Sequence, residues 1–67
     1  MTLTKNKLKE LREQRGYTQE DLAGKAGVSR QTIISIESGR YVPSLELSFK
    51  LSKIFNCKIE ALFGIGG

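Results

Sequence analysis

The sequence predicts an all-α fold, a compact single domain of five short helices that takes in residues 1–67. Apolar residues recur at helical spacing along the chain, and residues that favour helix ends stand between the apolar segments. A chain of 67 residues is the size of one small domain. Aromatic residues make up only 7% of it and Trp is absent, so Leu and Ile must supply most of the core.

The first helix is predicted from about Lys5 to Arg15. Leu8 and Leu11 share its inner face, and its other side is charged. Gly16 follows the last helical residue, where a positive φ is favoured, so we expect the helix to end there.

Two more helices are predicted between residues 18 and 39. Thr18 can cap the first of them, with Asp21 as its partner in a capping box, and Gly27 ends it. Ser29 caps the next helix only two residues later, which makes the turn very tight, and Gly39 ends that helix. The residues expected to face inward are Leu22, Ala23, Ala26, Ile33 and Ile36.

The fourth helix is predicted from Leu45 to Phe55, after Ser44 as its cap. Leu45 and Phe49 lie on a different side from the main apolar stripe, so we expect this helix to be covered from two directions. The stripe consists of Leu47, Leu51, Ile54 and Phe55. A short fifth helix follows, with an inner face of Ile59, Leu62 and Phe63.

Charge and composition limit the possible functions. Eleven Lys and Arg against seven Asp and Glu give a net charge of +4, which favours a polyanionic partner, although a surplus of lysines also keeps proteins soluble. A lone Cys57 and the absence of His leave no plausible metal site, disulfide or acid–base catalyst. We therefore expect no cofactor, no metal and no enzymatic activity.

The sequence also bears on location. No apolar run approaches the roughly 18 residues of a membrane span, and the first residues lack the apolar stretch of a secretion signal. A basic amphipathic helix on a membrane surface is disfavoured because acidic residues interrupt the basic faces. The expectation is a cytoplasmic protein in a reducing environment.

The two helices of residues 18–39, joined by a turn centred on Gly27, suit a helix that projects into a DNA groove while its partner crosses the backbone. Any compact helical hairpin would favour similar small residues, so the pattern alone leaves both interpretations open.

The wider sequence around this pair of helices favours the DNA-binding interpretation. It resembles the lambda-repressor-like, or Cro/Xre-type, helix-turn-helix regulators over about residues 7–63, in the family's order. The matching stretches are LKELR at 8–12, GYTQEDLA at 16–23, GVSRQTI at 27–33, IESGR at 36–40 and PSL at 43–45.

The resemblance implies that the third helix is the recognition helix, with four side chains near base edges. Arginine can bond guanine with two hydrogen bonds, glutamine can do so with adenine, and an aliphatic group can contact a thymine methyl. The helical wheel agrees with an outward position for Gln31 and Ser35. The implied base contacts are Arg30, Gln31, Ile34 and Ser35.

The resemblance also implies contacts to the DNA backbone. Gln19, the first residue of the second helix, matches the family position that binds a phosphate together with the amides at the helix end. The complete set of expected backbone contacts is Gln19, Ser29, Thr32, Arg40, Tyr41 and Ser44. We assign no site to the lysines of the first and fourth helices, Lys5, Lys7, Lys9, Lys50 and Lys53.

One pair of charges is predicted to serve the fold. Arg12 lies four residues after Leu8, and Glu37 lies four residues after Ile33, so both flank a core-facing stripe. The family has a matching, partly buried ion pair between its first and third helices. We expect Arg12 and Glu37 to form it.

The expected function is a transcriptional repressor that binds a palindromic double-stranded operator as a homodimer. Phe63 and Ile65 are candidates for the dimer contact. The chain leaves no room for a small-molecule pocket, and we expect a bacterial or phage origin. An alternative is a protein-binding module such as the antitoxin of a toxin–antitoxin pair.

Overall fold

The computed structural model describes residues 6–63, and this range is all-helical, as predicted. No helix within that range is long and apolar enough to cross a bilayer. Lys5, the predicted start of the first helix, lies outside the described residues. The helices are α1 Leu8–Gln14, α2 Gln19–Ala26, α3 Arg30–Glu37, α4 Leu45–Ile54 and α5 Ile59–Phe63.

Asn6 holds the beginning of α1. Its Oδ1 accepts a hydrogen bond from the Leu8 amide at 3.1 Å, and its Nδ2 donates to the Ile36 carbonyl oxygen at 2.8 Å. Asn6 therefore satisfies an amide that the first turn leaves free and also ties α1 to the end of α3.

Hydroxyl caps begin the three middle helices. Thr18, Ser29 and Ser44 each accept a hydrogen bond from the backbone amide three residues ahead, at 2.9, 3.2 and 3.2 Å. At α2 the capping box is complete, since the Asp21 carboxylate accepts from the Thr18 amide at 2.9 Å. This backbone hydrogen bond and the one from the Thr18 side chain lower the pKa of Asp21.

The turn between α2 and α3 depends on a left-handed residue. Gly27 has φ +72° and ψ 32°, and the Val28 amide donates to the Ala23 carbonyl oxygen at 3.0 Å. A Cβ at Gly27 would meet no atom within 4 Å, so the requirement for glycine comes from the backbone conformation and not from crowding.

The core lies where the faces of all five helices meet. Ala23 and Ala26 are 4% and 2% exposed, and their small side chains leave room for α3 to approach α2. Phe63 is also buried, at 4% exposure, so the prediction that it contacts a second copy is wrong: α5 uses it to cover the core. Ile65, the other candidate, lies outside the described residues. The fully buried side chains are Leu8, Leu22, Ile33, Ile36, Leu51 and Leu62.

The prediction that α4 is covered from two directions is also wrong. Leu47 and Leu51 are buried on one side, whereas Leu45 and Phe49 are 68% and 51% exposed on the other. The reason is that α2 and α5, which contact α4, leave the side with Leu45 and Phe49 without cover from residues 6–63.

The capping box leads to a stability prediction. Thr18→Ala removes the acceptor for the Asp21 amide, so we expect the free energy of unfolding to fall by about 1 kcal/mol. Thr18→Ser keeps a hydroxyl at the same position and should stay within a few tenths of a kcal/mol of the unchanged protein. Urea denaturation of the three proteins measures both differences, and equal losses in the two variants would contradict the role of the hydroxyl.

Candidate nucleic-acid interface

The orientation of α3 determines which of its side chains a partner could reach. Ile33 and Ile36 have no exposed surface, and they fix one side of the helix to the core. Arg30 and Gln31 are exposed at its first turn. Gln31 lies on the side opposite those isoleucines, and Arg30 lies on the flank next to Ile33. Its polar side therefore faces solvent.

Ile34 and Ser35, the other two expected base contacts, are half-buried. The Ser35 carbonyl oxygen accepts hydrogen bonds from the amides of Arg40 and Tyr41, at 2.9 and 3.2 Å. These bonds fold the segment after α3 back against its last turn. A shallow cleft of about 280 Å³ results, lined by Ser29, Gln31, Thr32, Ser35 and Tyr41.

Two of the expected backbone contacts already bond to each other. The hydroxyls of Ser29 and Thr32 lie 3.0 Å apart, and Ser29 also accepts from the Thr32 amide. Both hydroxyls therefore help to begin α3, and Ser29 is exposed while Thr32 is half-buried. Of the remaining expected contacts, Arg40 and Ser44 are both exposed.

A second and larger cleft, of about 570 Å³, opens between α1, the beginning of α2 and the beginning of α3. It brings Arg30 together with Gln19, so Arg30 lies apart from the cleft that Gln31 and Ser35 line. It also contains Lys9, which sequence reasoning left without a role. Lys9 could have been included from the sequence, because it stands three residues before Arg12 and both therefore lie on one face of α1. The lining residues are Lys9, Arg12, Thr18, Gln19, Glu20 and Arg30.

Arg12 and Glu37 form an ion pair between α1 and α3. Arg12 Nε donates to Glu37 Oε2 at 2.7 Å, and their side chains are only 11% and 6% exposed. Arg12 Nη1 also donates to the Tyr17 carbonyl oxygen at 2.9 Å. These bonds engage the guanidinium within the fold, which limits its freedom to bind an outside anion.

Gln19 is part of the same network. Its Nε2 donates to Glu37 Oε1 at 3.1 Å, so the Glu37 carboxylate accepts from both Arg12 and Gln19. A second N–H on Nε2 remains to donate to another group. No pattern in the sequence indicates this bond, because Gln19 and Glu37 are 18 residues apart.

Two other cations serve the fold. Arg15 Nη2 donates to the Phe55 carbonyl oxygen at 2.9 Å, and its guanidinium lies 5.9 Å from the centre of the Phe55 ring. Lys25 Nζ lies 4.9 Å from the centre of the Tyr17 ring. Both contacts are cation–π interactions, so part of the net positive charge is used to hold helices together.

The fold and the site together define a class of protein. Two short helices are joined by a glycine turn, the second presents a polar side, and a cleft with basic side chains lies beside them. This is the architecture of a helix-turn-helix DNA-binding protein. In residues 6–63, Asp, Glu and Cys form no group of three that could hold a metal ion.

Comparison with known proteins identifies the family. A helix-turn-helix family model matches residues 8–62. An uncharacterised helix-turn-helix transcriptional regulator of Methanocaldococcus jannaschii is 63% identical over 59 residues, which are 88% of this chain and 89% of that protein. A similarly described regulator of Bacillus subtilis is 54% identical over 59 residues, again 88% of this chain and 89% of the relative.

A solved structure agrees with these matches. The restriction-modification controller protein C.AhdI of Aeromonas hydrophila is similar with a TM-score of 0.75 and 31% identity, over 82% of this chain and 83% of that one. The chain therefore belongs to the Cro/Xre-type helix-turn-helix family. The family consists of DNA-binding transcriptional regulators and is not a class of enzymes.

The ion pair gives a prediction about stability. Glu37→Ala leaves the Arg12 charge buried without its partner, so we expect the free energy of unfolding to fall by about 3 kcal/mol. Glu13→Ala removes an exposed carboxylate from α1 and should change it by less than about 0.5 kcal/mol. Chemical denaturation compares the two variants, and similar small losses in both would refute a structural role for Glu37.

Proposed function

We propose that this protein is a transcriptional repressor that binds a palindromic operator as a homodimer, with α3 in the major groove. The main support for this proposal is that the burial of Ile33 and Ile36 leaves the polar side of α3 exposed. A helix of this kind fits the major groove of B-DNA, where each base pair presents a distinct pattern of donors and acceptors. A repressor must reach chromosomal or phage DNA, so the proposal includes a cytoplasmic location.

In this proposal the base contacts come from α3. Gln31 is available because it is exposed and lines the shallow cleft beside the last turn of α3, and its amide can both donate to and accept from adenine. Ile34 would contact a thymine methyl, and the Ser35 hydroxyl would bond a base edge at the far end of the cleft. Arg30 would bond guanine from the first turn of the helix.

Gln19 would bind a phosphate from the beginning of α2. The hydrogen bond to Glu37 holds its side-chain amide in one orientation, and the second N–H on Nε2 can then donate to a phosphate oxygen. Free backbone amides at the start of α2 would add to this contact. The other proposed backbone contacts are Ser29, Thr32, Arg40, Tyr41 and Ser44.

Lys9 would add a cation to the same phosphate site. It is exposed, and it lines the cleft that contains both Gln19 and Arg30. Arg12 in that cleft is already paired with Glu37, so Lys9 supplies charge that Arg12 does not.

The homodimer follows from the size of one module. A single recognition helix reads only a few base pairs, whereas two related by a two-fold axis read half-sites about 34 Å apart, one turn of DNA. Two-fold symmetry in the protein requires a matching palindrome in the operator.

Selection from a random pool of duplex DNA tests the base and phosphate roles. We expect Gln31→Ala to relax the base preference at one position of the selected site, with a cost of about 1–3 kcal/mol on the preferred sequence. Gln19→Ala should weaken binding to all sequences alike, because a phosphate contact carries no sequence information. Gln14→Ala, at an exposed position of α1, serves as the control. If Gln31→Ala and Gln19→Ala weaken every sequence equally, the assignment of roles is wrong.

The salt dependence of binding tests Lys9. Each phosphate neutralised by a cation adds about 0.9 to the slope of log K against log salt, so Lys9→Gln should reduce that slope by about 1. Lys58→Gln removes the same charge from an exposed position outside the cleft. Titrations at several salt concentrations give both slopes, and an equal change in the two variants would mean that Lys9 acts only through net charge.

A further inference from the structure

A third cleft, of about 330 Å³, opens between the turn that joins α2 to α3 and the beginning of α4. Several of the expected DNA backbone contacts line it, namely Thr32, Tyr41 and Ser44. We call it the α4 cleft, and we call the cleft of about 570 Å³ that contains Gln19 the α2 cleft.

The α2 cleft and the α4 cleft lie on opposite sides of α3. Arg30 lines the first of them and Thr32 lines the second. At about 100° per residue, these two side chains are turned from each other by about 160° around the helix axis. A helix in the major groove has a strand backbone on each side, so in the proposed complex each cleft faces one of the two backbones.

Each of these two clefts contains one glutamate. Glu20 lines the α2 cleft and Glu46 lines the α4 cleft, and both side chains are exposed. Each is the second residue of its helix, two residues after the hydroxyl cap. Within residues 6–63, neither carboxylate forms an ion pair with another side chain. Both negative charges are therefore left without a partner at the places where phosphates would lie.

We propose that Glu20 and Glu46 limit the affinity of the protein for the DNA backbone, because each repels the phosphate that the rest of its cleft attracts. The attraction comes from Lys9 and Arg30 in the α2 cleft and from Lys50 in the α4 cleft. Phosphates are the same in every sequence, so the repulsion weakens binding to all duplexes alike and leaves the base preference unchanged. The proposal rests on the proposed function, because it concerns the regulation of affinity at the same DNA-binding surface.

Both glutamates also stabilise the helices that they begin, since an acidic side chain near a helix N-terminus interacts favourably with the helix dipole. Glu60 has this role in α5, where it is also the second residue of the helix and is exposed. It lines none of the three clefts. Glu60 is therefore a matched control, because it shares the charge and the helical position of Glu20 and Glu46 but not their surroundings.

Fluorescence anisotropy titrations of a random-sequence duplex test the two glutamates. Glu20→Gln and Glu46→Gln should each raise the affinity about threefold at low salt, as expected for like charges several ångströms apart in water. The double variant should gain about tenfold, since the two positions are well separated. The gain should shrink as salt is added, because ions screen the repulsion. Glu60→Gln makes the same change in net charge and should alter the affinity by less than about twofold.

The same titrations with the sequence selected from the random pool separate affinity from base preference. We expect each variant to gain the same factor on the selected sequence and on the random duplex, because the repulsion acts on phosphate. Circular dichroism confirms that each variant is folded.

Two outcomes would overturn the proposal. One is that Glu20→Gln and Glu46→Gln bind the random duplex no more tightly than Glu60→Gln does, and the other is a gain that is confined to the selected sequence. Failure of the proposed function looks different. If the unchanged protein selects no preferred sequence but the two variants still exceed Glu60→Gln on the random duplex, the proposed function fails and this proposal stands. If none of the proteins binds any duplex, both fail.

Discussion

The rest of the structure depends on the way α3 is held. Its eight residues are too few to form a stable helix alone in water, so packing must supply the stability. Ile33 and Ile36 give up all their exposed surface, and Ala23 is small enough to let α3 come close to α2. With this side of α3 packed against the core, its polar side must face solvent. The same packing that folds the chain exposes the surface proposed to read DNA.

Both ends of α3 are fixed as well. At its start, Ser29 accepts from the Thr32 amide, and at its end the Glu37 carboxylate receives hydrogen bonds from Arg12 and Gln19. A buried carboxylate is costly unless it is well paired, and here two donors satisfy it. Its partners come from α1 and α2, so three helices share one group. The position of Gln19 at the proposed phosphate site is thereby linked to the stability of the fold.

Much of the fold could be predicted because its signals are local. Hydroxyl residues at 18, 29 and 44 cap the helices that they precede, and Gly27 marks the turn in the sequence itself. Among the contacts between distant residues, the family resemblance indicated the Arg12–Glu37 pair, whereas others had no signal in the sequence. The bond from Asn6 to the Ile36 carbonyl oxygen joins residues 30 apart, and that from Arg15 to the Phe55 carbonyl oxygen joins residues 40 apart. Periodicity identified the apolar sides of α4 but could not tell which of them the chain would cover.

The clefts lined by Gln31 and by Arg30 differ in the chemistry of their side chains, and neighbouring residues of the sequence line different clefts. Gln31 and Ser35 line a cleft without ionisable groups other than the Tyr41 phenol, whereas Lys9 and Arg30 line the cleft at the beginning of α2. Hydrogen bonds from neutral groups depend strongly on which base is present, while the attraction of a cation to phosphate is the same for every sequence. In the proposed function, a site divided in this way lets affinity and specificity be adjusted separately. Arg30 precedes Gln31 directly in the chain, yet it lines the cleft of the proposed phosphate site and not the cleft of Gln31.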